Sequence, residues 1–123
     1  MANPNIVAVA NIYGKTVFDA DIATSASAIV TNAASSGKIL KINSLIIANI
    51  DGSSAADITA TIKNAAGNST SSTIANTVSV PADATLVLIS KDTSIYLEED
   101  MSIHLASSAA GDLSGTCSYE EIS

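Results

Sequence analysis

The stretch Lys38-Ile39-Leu40-Lys41-Ile42-Asn43-Ser44-Leu45-Ile46-Ile47-Ala48-Asn49-Ile50 is the most apolar run of the chain, and it stops at Asp51-Gly52-Ser53-Ser54. Its β-branched residues recur without a helical period, and Asp-Gly-Ser-Ser is turn chemistry, so it reads as a strand. Beyond Leu45 it is almost continuously apolar, which predicts burial on both faces. The next run, Asp57 to Lys63, alternates. Ile58, Ala60 and Ile62 share one face and Thr59, Thr61 and Lys63 the other, as in a half-buried strand.

The pattern continues in both directions. Ile6, Ala8 and Ala10 alternate in a first run, Tyr13-Gly14 interrupts, and a second run ends at Val17-Phe18. Asp19-Ala20-Asp21 reads as a bend, Ile22 to Thr31 as a strand of small residues, and Asn32 to Gly37 as a turn. Downstream, Ala65 to Ser69 is a turn, and Thr73 to Val80 a strand with Ile74, Val78 and Val80 as its apolar positions. Pro81 to Ala84 breaks it. Thr85 to Ser90 and Ser94 to Leu97 flank Lys91-Asp92-Thr93, and Glu98-Glu99-Asp100 is an acidic turn. Met101, Ile103 and Leu105 then share a face, Ser107 to Asp112 is a loop, and Leu113 to about Ile122 is the last strand. Eight or nine short strands at this spacing predict an all-β, single-domain β-sandwich over residues 1–123, of Greek-key or jelly-roll type.

Composition bounds the function. The chain has 123 residues, 47% of them hydrophobic but only 3% aromatic, with no Trp, Arg or Gln. A core must therefore be aliphatic. Surface scaling gives about 6,100 Å² exposed when folded. The net charge of −7 leaves no basic stripe for nucleic acid and disfavours anionic lipid. No run approaches the roughly 20 apolar residues that span a bilayer. No basic segment precedes an apolar one at the start, so no secretory signal is expected, and one cysteine fits synthesis in a reducing cytoplasm.

Candidate chemistry is sparse. His104 falls opposite in parity to Ile103 and Leu105 and is expected to face solvent, whereas Cys117 shares the parity of Leu113 and Tyr119 and is expected in the core. On neighbouring strands the two would point to opposite faces, which excludes a Cys–His pair. Zinc lacks a ligand set. Asp19 with Asp21, and Asp51 with Asp57, offer two carboxylates each, too few for an EF-hand-like calcium loop and explained by turn chemistry. Glu98, Glu99 and Asp100 lack the aromatics and the second, spaced carboxylate of a glycosidase. Asn68-Ser69-Thr70 is a sequon in a turn. No catalytic residue, cofactor or metal is expected.

Several segments carry a resemblance when taken as a series: Asn3-Pro-Asn-Ile-Val7, Gly14-Lys-Thr16, Asn32-Ala-Ala-Ser-Ser-Gly-Lys-Ile39, Val78-Ser-Val-Pro-Ala-Asp-Ala-Thr-Leu-Val-Leu-Ile89, Ser94-Ile-Tyr-Leu-Glu-Glu-Asp-Met-Ser-Ile103 and Cys117-Ser-Tyr-Glu-Glu-Ile-Ser123. Together they resemble small virion structural proteins of marine tailed phages, cyanophages especially. The acidic turn departs from that pattern, with Asp100-Met101 where a glycine would be expected. The resemblance implies a non-enzymatic decoration or cement protein, made in the host cytoplasm and bound in several copies, with homo-oligomers possible, to the major capsid protein on the outer capsid surface. A neck, tail or fibre-attachment protein is the alternative. A glycan- or receptor-binding sandwich, using Tyr13, Tyr96 and Tyr119, is a second. The expected contact loops are Asp51, Gly52, Ser53 and Ser54; Gly67 and Asn68, in a loop running to Ser72; and Glu98, Glu99 and Asp100.

Overall fold

In a computed structural model, residues 3–64 and 69–123 are described. They form β1 (Ile12–Asp19), β2 (Ser27–Asn32), β3 (Ile39–Asn49), β4 (Ala56–Asn64), β5 (Ser69–Val80), β6 (Thr85–Ile89), β7 (Ile95–Leu97), β8 (Met101–Ser107) and β9 (Leu113–Ile122), with a 3-10 turn at Lys91–Thr93. All pairings are antiparallel. One sheet runs β1-β9-β3-β6, with short β7 also on β3, and the other runs β2-β8-β4-β5.

The connectivity is that of a long hairpin rolled up. Its arms pair β4 with β5, β3 with β6 and β7, β2 with β8, and β1 with β9. Rolling then adds the β3–β9 and β4–β8 pairings. This is a jelly-roll sandwich, the expected class. Its accessible surface, 6163 Å², is what size scaling gives for a compact chain of this mass.

Between the sheets lies an aliphatic core that includes Ile22, Ile42, Leu45, Ile47, Ile58, Ile89, Leu97, Ile103, Leu105 and Leu113. Alternation along β4 and β8 places Ile58, Ala60, Ile103 and Leu105 inward, as their parity predicts. At β3 the expectation is corrected. Leu45 and Ile47 are fully buried, but Ile46 and Ala48, which alternate with them, are only half-buried, because no layer covers the outer face of the five-stranded sheet there.

Further expectations fail locally, and the strand read from Ile22 begins only at Ser27. Residues 6–10 form no strand. Asn5 bends the chain instead, its Oδ1 accepting from the Val7 amide at 2.9 Å and its carbonyl from the Ala8 amide at 3.1 Å. Tyr13-Gly14 does not interrupt β1, since the ladder to β9 carries Gly14 opposite Glu120 without a break. β5 is longer than read and irregular, with three register shifts against β4 and Thr77 at φ 48°.

Gly115 sits inward on β9, and a Cβ there would lie 3.1 Å from Leu105 Cδ1 and 3.3 Å from Ile22 Cδ1 and Ile29 Cδ1. Gly115→Val is therefore expected to lower stability by about 1–3 kcal/mol through overpacking, read from the midpoint of urea unfolding.

Candidate functional site

The expected contact loops do not converge. Asp51–Ser54 joins β3 to β4 at the end of the sandwich that also holds the Pro81–Ala84 turn and Asp112. Glu98–Asp100 joins β7 to β8 at the other end, against the close of β2. Gly67 and Asn68 lie outside the described residues.

Turn chemistry accounts for the aspartates at the first end. Asp51 Oδ1 accepts from the amide and hydroxyl of Ser53, each at 2.9 Å, and these bonds, the amide's foremost, hold its carboxyl below the usual range. Asp19 Oδ1 accepts from the Asp21 amide at 3.2 Å, and Asp21 Oδ1 from the Gly111 amide at 2.8 Å. Among the described residues no group of three or more His, Cys, Asp or Glu could hold a metal ion.

The second end is more structured. Asn32, the last residue of β2, is 2% exposed. Its Nδ2 donates to the carbonyls of Lys38 at 2.9 Å and Leu97 at 3.0 Å, and its Oδ1 accepts from Ser36 Oγ at 2.6 Å. One side chain thus ties the β2–β3 loop to the end of β7 and seats the acidic turn. The Asp100 amide closes that turn onto the Asn32 carbonyl at 2.9 Å, and Asp100 takes φ 66°. That is the left-handed conformation that favours glycine, and aspartate tolerates it better than most residues.

Beside the turn runs a groove of about 410 Å³ on the outer face of the four-stranded sheet, walled by Ala28, Thr31, Ala34, Met101, Ser102 and His104. A hollow of about 350 Å³ adjoins it, between Asn3, Ser35 and the acidic turn. Asn3 Nδ2 donates to Glu98 Oε1 at 2.7 Å, whereas both carboxylate oxygens of Glu99 are covered and have no hydrogen-bond partner.

His104 lies on the outer face, opposite in parity to Ile103 and Leu105 as expected, but is half-buried there. Its Nδ1 is covered and has no partner, and burial, then nearby Lys63, lowers its pKa from the usual 6.5. Cys117 is fully buried in the core, as its parity predicts, and burial pushes its thiol up to about 12. β8 and β9 are not neighbours but lie in opposite sheets. The two side chains are separated by fold as well as by face, and no nucleophile–base pair forms.

The three tyrosines do not build one platform either. Tyr119 packs against the core, while Tyr96 is on the outer face opposite Lys41. Tyr13 stands opposite Glu121, whose carboxylate binds Lys15 and Lys38, each at 3.0 Å. Those hydrogen bonds, Lys15 first, hold the Glu121 carboxyl below its usual range.

Asn32 and the His104 groove were missed by sequence reasoning, which read Asn32 only as the start of a turn. The usable signal was parity. Asn32 follows Val30 by two residues, an inward position where a polar residue announces a buried hydrogen-bonding hub.

No protein-family model matches this sequence, and neither does any curated protein. Among solved structures, the chain is similar to a Bacillus endospore appendage protein from a family of disulfide-linked pili, with a TM-score of 0.53 and 13% identity. The match covers 99% of this chain and 98% of that one, and it is a likeness of fold.

Asn32→Ala is expected to cost about 2–4 kcal/mol in chemical denaturation, because it orphans the Lys38 and Leu97 carbonyls beside the lost bonds. A separate outcome follows from His104. Its folded pKa is lowered, so the unfolded chain takes up the proton first. Stability is full above about pH 6.5 and declines as pH falls from there through the folded value. Melting curves across that range should show the decline in the wild type and not in His104→Gln. Glu121 adds a second, lower step by the depressed-carboxylate rule. Its contribution is present above about 4.5 and is lost as pH falls through the folded value.

Proposed function

We propose that this chain is a non-enzymatic structural protein that works by assembling on the outside of a larger particle. The observation carrying this reading is an end-to-end likeness of fold to an appendage pilus protein. The form we favour is a decoration protein on the outer capsid of a tailed phage, held by several copies of the major capsid protein. Its support is the resemblance of the strand-and-turn segments to marine phage virion proteins. Such a protein stabilises a shell by binding linkage, since each copy that binds only the assembled lattice lowers the free energy of that lattice.

A pilus-type subunit is the second reading, favoured by the same fold likeness. A disulfide-linked version of it is disfavoured, because Cys117 is the chain's one cysteine and is fully buried.

The proposed contact is the end carrying Glu98, Glu99 and Asp100, where the exposed Glu98 offers a carboxylate to a basic group of a neighbour. Cryo-electron microscopy of native particles carrying the chain tests this directly. Density repeated over the icosahedral lattice and bridging capsid subunits is the expected result, with Glu98→Lys lowering occupancy at unchanged melting temperature. Density at the neck or tail would replace the decoration form, and filaments of the chain alone would favour the pilus form. Absence from every particle and filament would sink the assembly reading.

A further inference from the structure

A sandwich of two open sheets has exposed edges, and three of the four here are irregular. β5 shifts register three times against β4, and β2 is six residues long with a shift between Ala28 and Val30. The edge beside β3 is divided between β6 and the three-residue β7, with a shift at Leu45/Ile46. Bulges and short strands are how proteins keep an edge from pairing with another chain.

β1 has neither device. Its eight residues run in unbroken register with β9, from Ile12 opposite Ile122 to Asp19 opposite Gly115. In an antiparallel ladder alternate N–H and C=O groups point away from the partner. Among the described residues no backbone bond outside that ladder involves residues 12–19. Lys15, Val17 and Asp19 alternate to the inner face, and Thr16 and Phe18 to the outer, where Phe18 is 75% exposed. Gly14 weakens the strand, yet a Cβ there would meet nothing and its φ is not left-handed, so the single chain gives no reason for a glycine.

We propose that β1 is a docking edge for β1 of a second copy of this chain, paired antiparallel about a twofold axis at Val17. Charge selects both the occupant and the register. Lys15 and Asp19 are four residues apart on one face, so pairing about Val17 sets Lys15 of each copy opposite Asp19 of the other, twice. No other self-pairing within β1 puts Lys15 opposite an acid, and pairing about Lys15 sets the two lysines together. A lysine on an edge ordinarily repels a second strand. Here Glu121, at 3.0 Å, already shares its charge, and Asp19 of the other copy completes the set. The outer face gains Phe18 opposite Thr16 on both sides of the axis. The two five-stranded sheets become continuous, in an isologous contact. This stands on the edge itself and does not depend on the particle reading above.

Sedimentation equilibrium on the full chain tests it. The wild type should self-associate to a dimer. Lys15→Glu and Asp19→Lys, each of which turns both pairs repulsive, should each weaken it about tenfold or more. An equimolar mixture of the two variants should recover a heterodimer, because only the mixed pair has opposite charges at both positions. Should Lys15→Glu unfold through loss of the Glu121 contact, amide exchange of the wild type replaces it: protection at Ile12–Asp19 rises with protein concentration. A wild type that stays monomeric to millimolar concentration overturns the proposal. So does a dimer indifferent to both charge reversals, or one whose β1 amides gain no protection.

Discussion

Two buried asparagines hold the ends of this sandwich, and the core between them has the length they define. Asn32 ends β2 and Asn49 ends β3, and each is less than 5% exposed. Asn49 Nδ2 donates to the carbonyls of Ser54 at 3.0 Å and Val80 at 2.9 Å, while its Oδ1 accepts from the Asp51 amide at 2.9 Å. Asn32 does the same at the other end for Lys38, Leu97 and Ser36. Where strands leave the ladder, their carbonyls are covered by the core yet have lost their backbone partners, and leaving them bare is costly. A neutral amide supplies two donors and an acceptor without burying a charge. The loops at both ends are consequently fixed from the inside, even though their own residues are small and polar.

Much of this was legible. The alternation of Asp57–Lys63 and of Met101–Leu105 fixed which faces meet the core, because a strand's two faces are set by parity alone. Pro81, Asp51-Gly52 and the acidic turn marked the chain reversals. Reading failed where a residue's neighbours come from elsewhere in the chain. Gly14 looked like a break because strand propensity disfavours it, but β9 supplies a complete ladder across it. The alternating run at residues 6–10 finds no open ladder beside it, since the Ala10 and Asn11 amides are taken by the Ser123 carbonyl. β8 and β9 are consecutive and were read as neighbours, yet the rolled hairpin assigns them to different sheets. That crossover is a property of the whole topology, and no local pattern encodes it.

The surface is built from the same few materials as the core. On the outer face of the five-stranded sheet, Phe18 stands opposite Thr116, Thr116 opposite Ile46, and Ile46 opposite Val87, in one row across four strands. The next row, Thr16, Ser118 and Ser44, is uncharged as well, and a Thr16–Ser118 hydroxyl bond of 3.1 Å links two of its members. Short side chains of this kind lose little rotamer entropy when covered, so a contact formed over them keeps more of its gross energy. The acidic groups that give the chain its net charge of −7 are concentrated in loops and at the strand ends. The middle of this face is thereby the region where a second acidic body would meet least repulsion.

How copies could be held together is constrained most tightly by Cys117. It stands opposite Val17 on one side and Leu45 on the other, in the middle of β9. To expose its sulfur, β9 would have to separate from β1 or β3, which dismantles the five-stranded sheet. While it stays in the core, burial holds the thiol pKa up at about 12, which leaves almost no thiolate at neutral pH. Covalent linkage through this residue is therefore incompatible with the folded chain. An assembly of folded copies would accordingly be held by contacts other than a disulfide through Cys117. For such contacts, persistence comes from number: several modest interfaces engaged at once release far more slowly than any one of them. With its thiol sealed in the core, this sandwich leaves the persistence of any contact to the number of surfaces engaged at once rather than to a disulfide through Cys117.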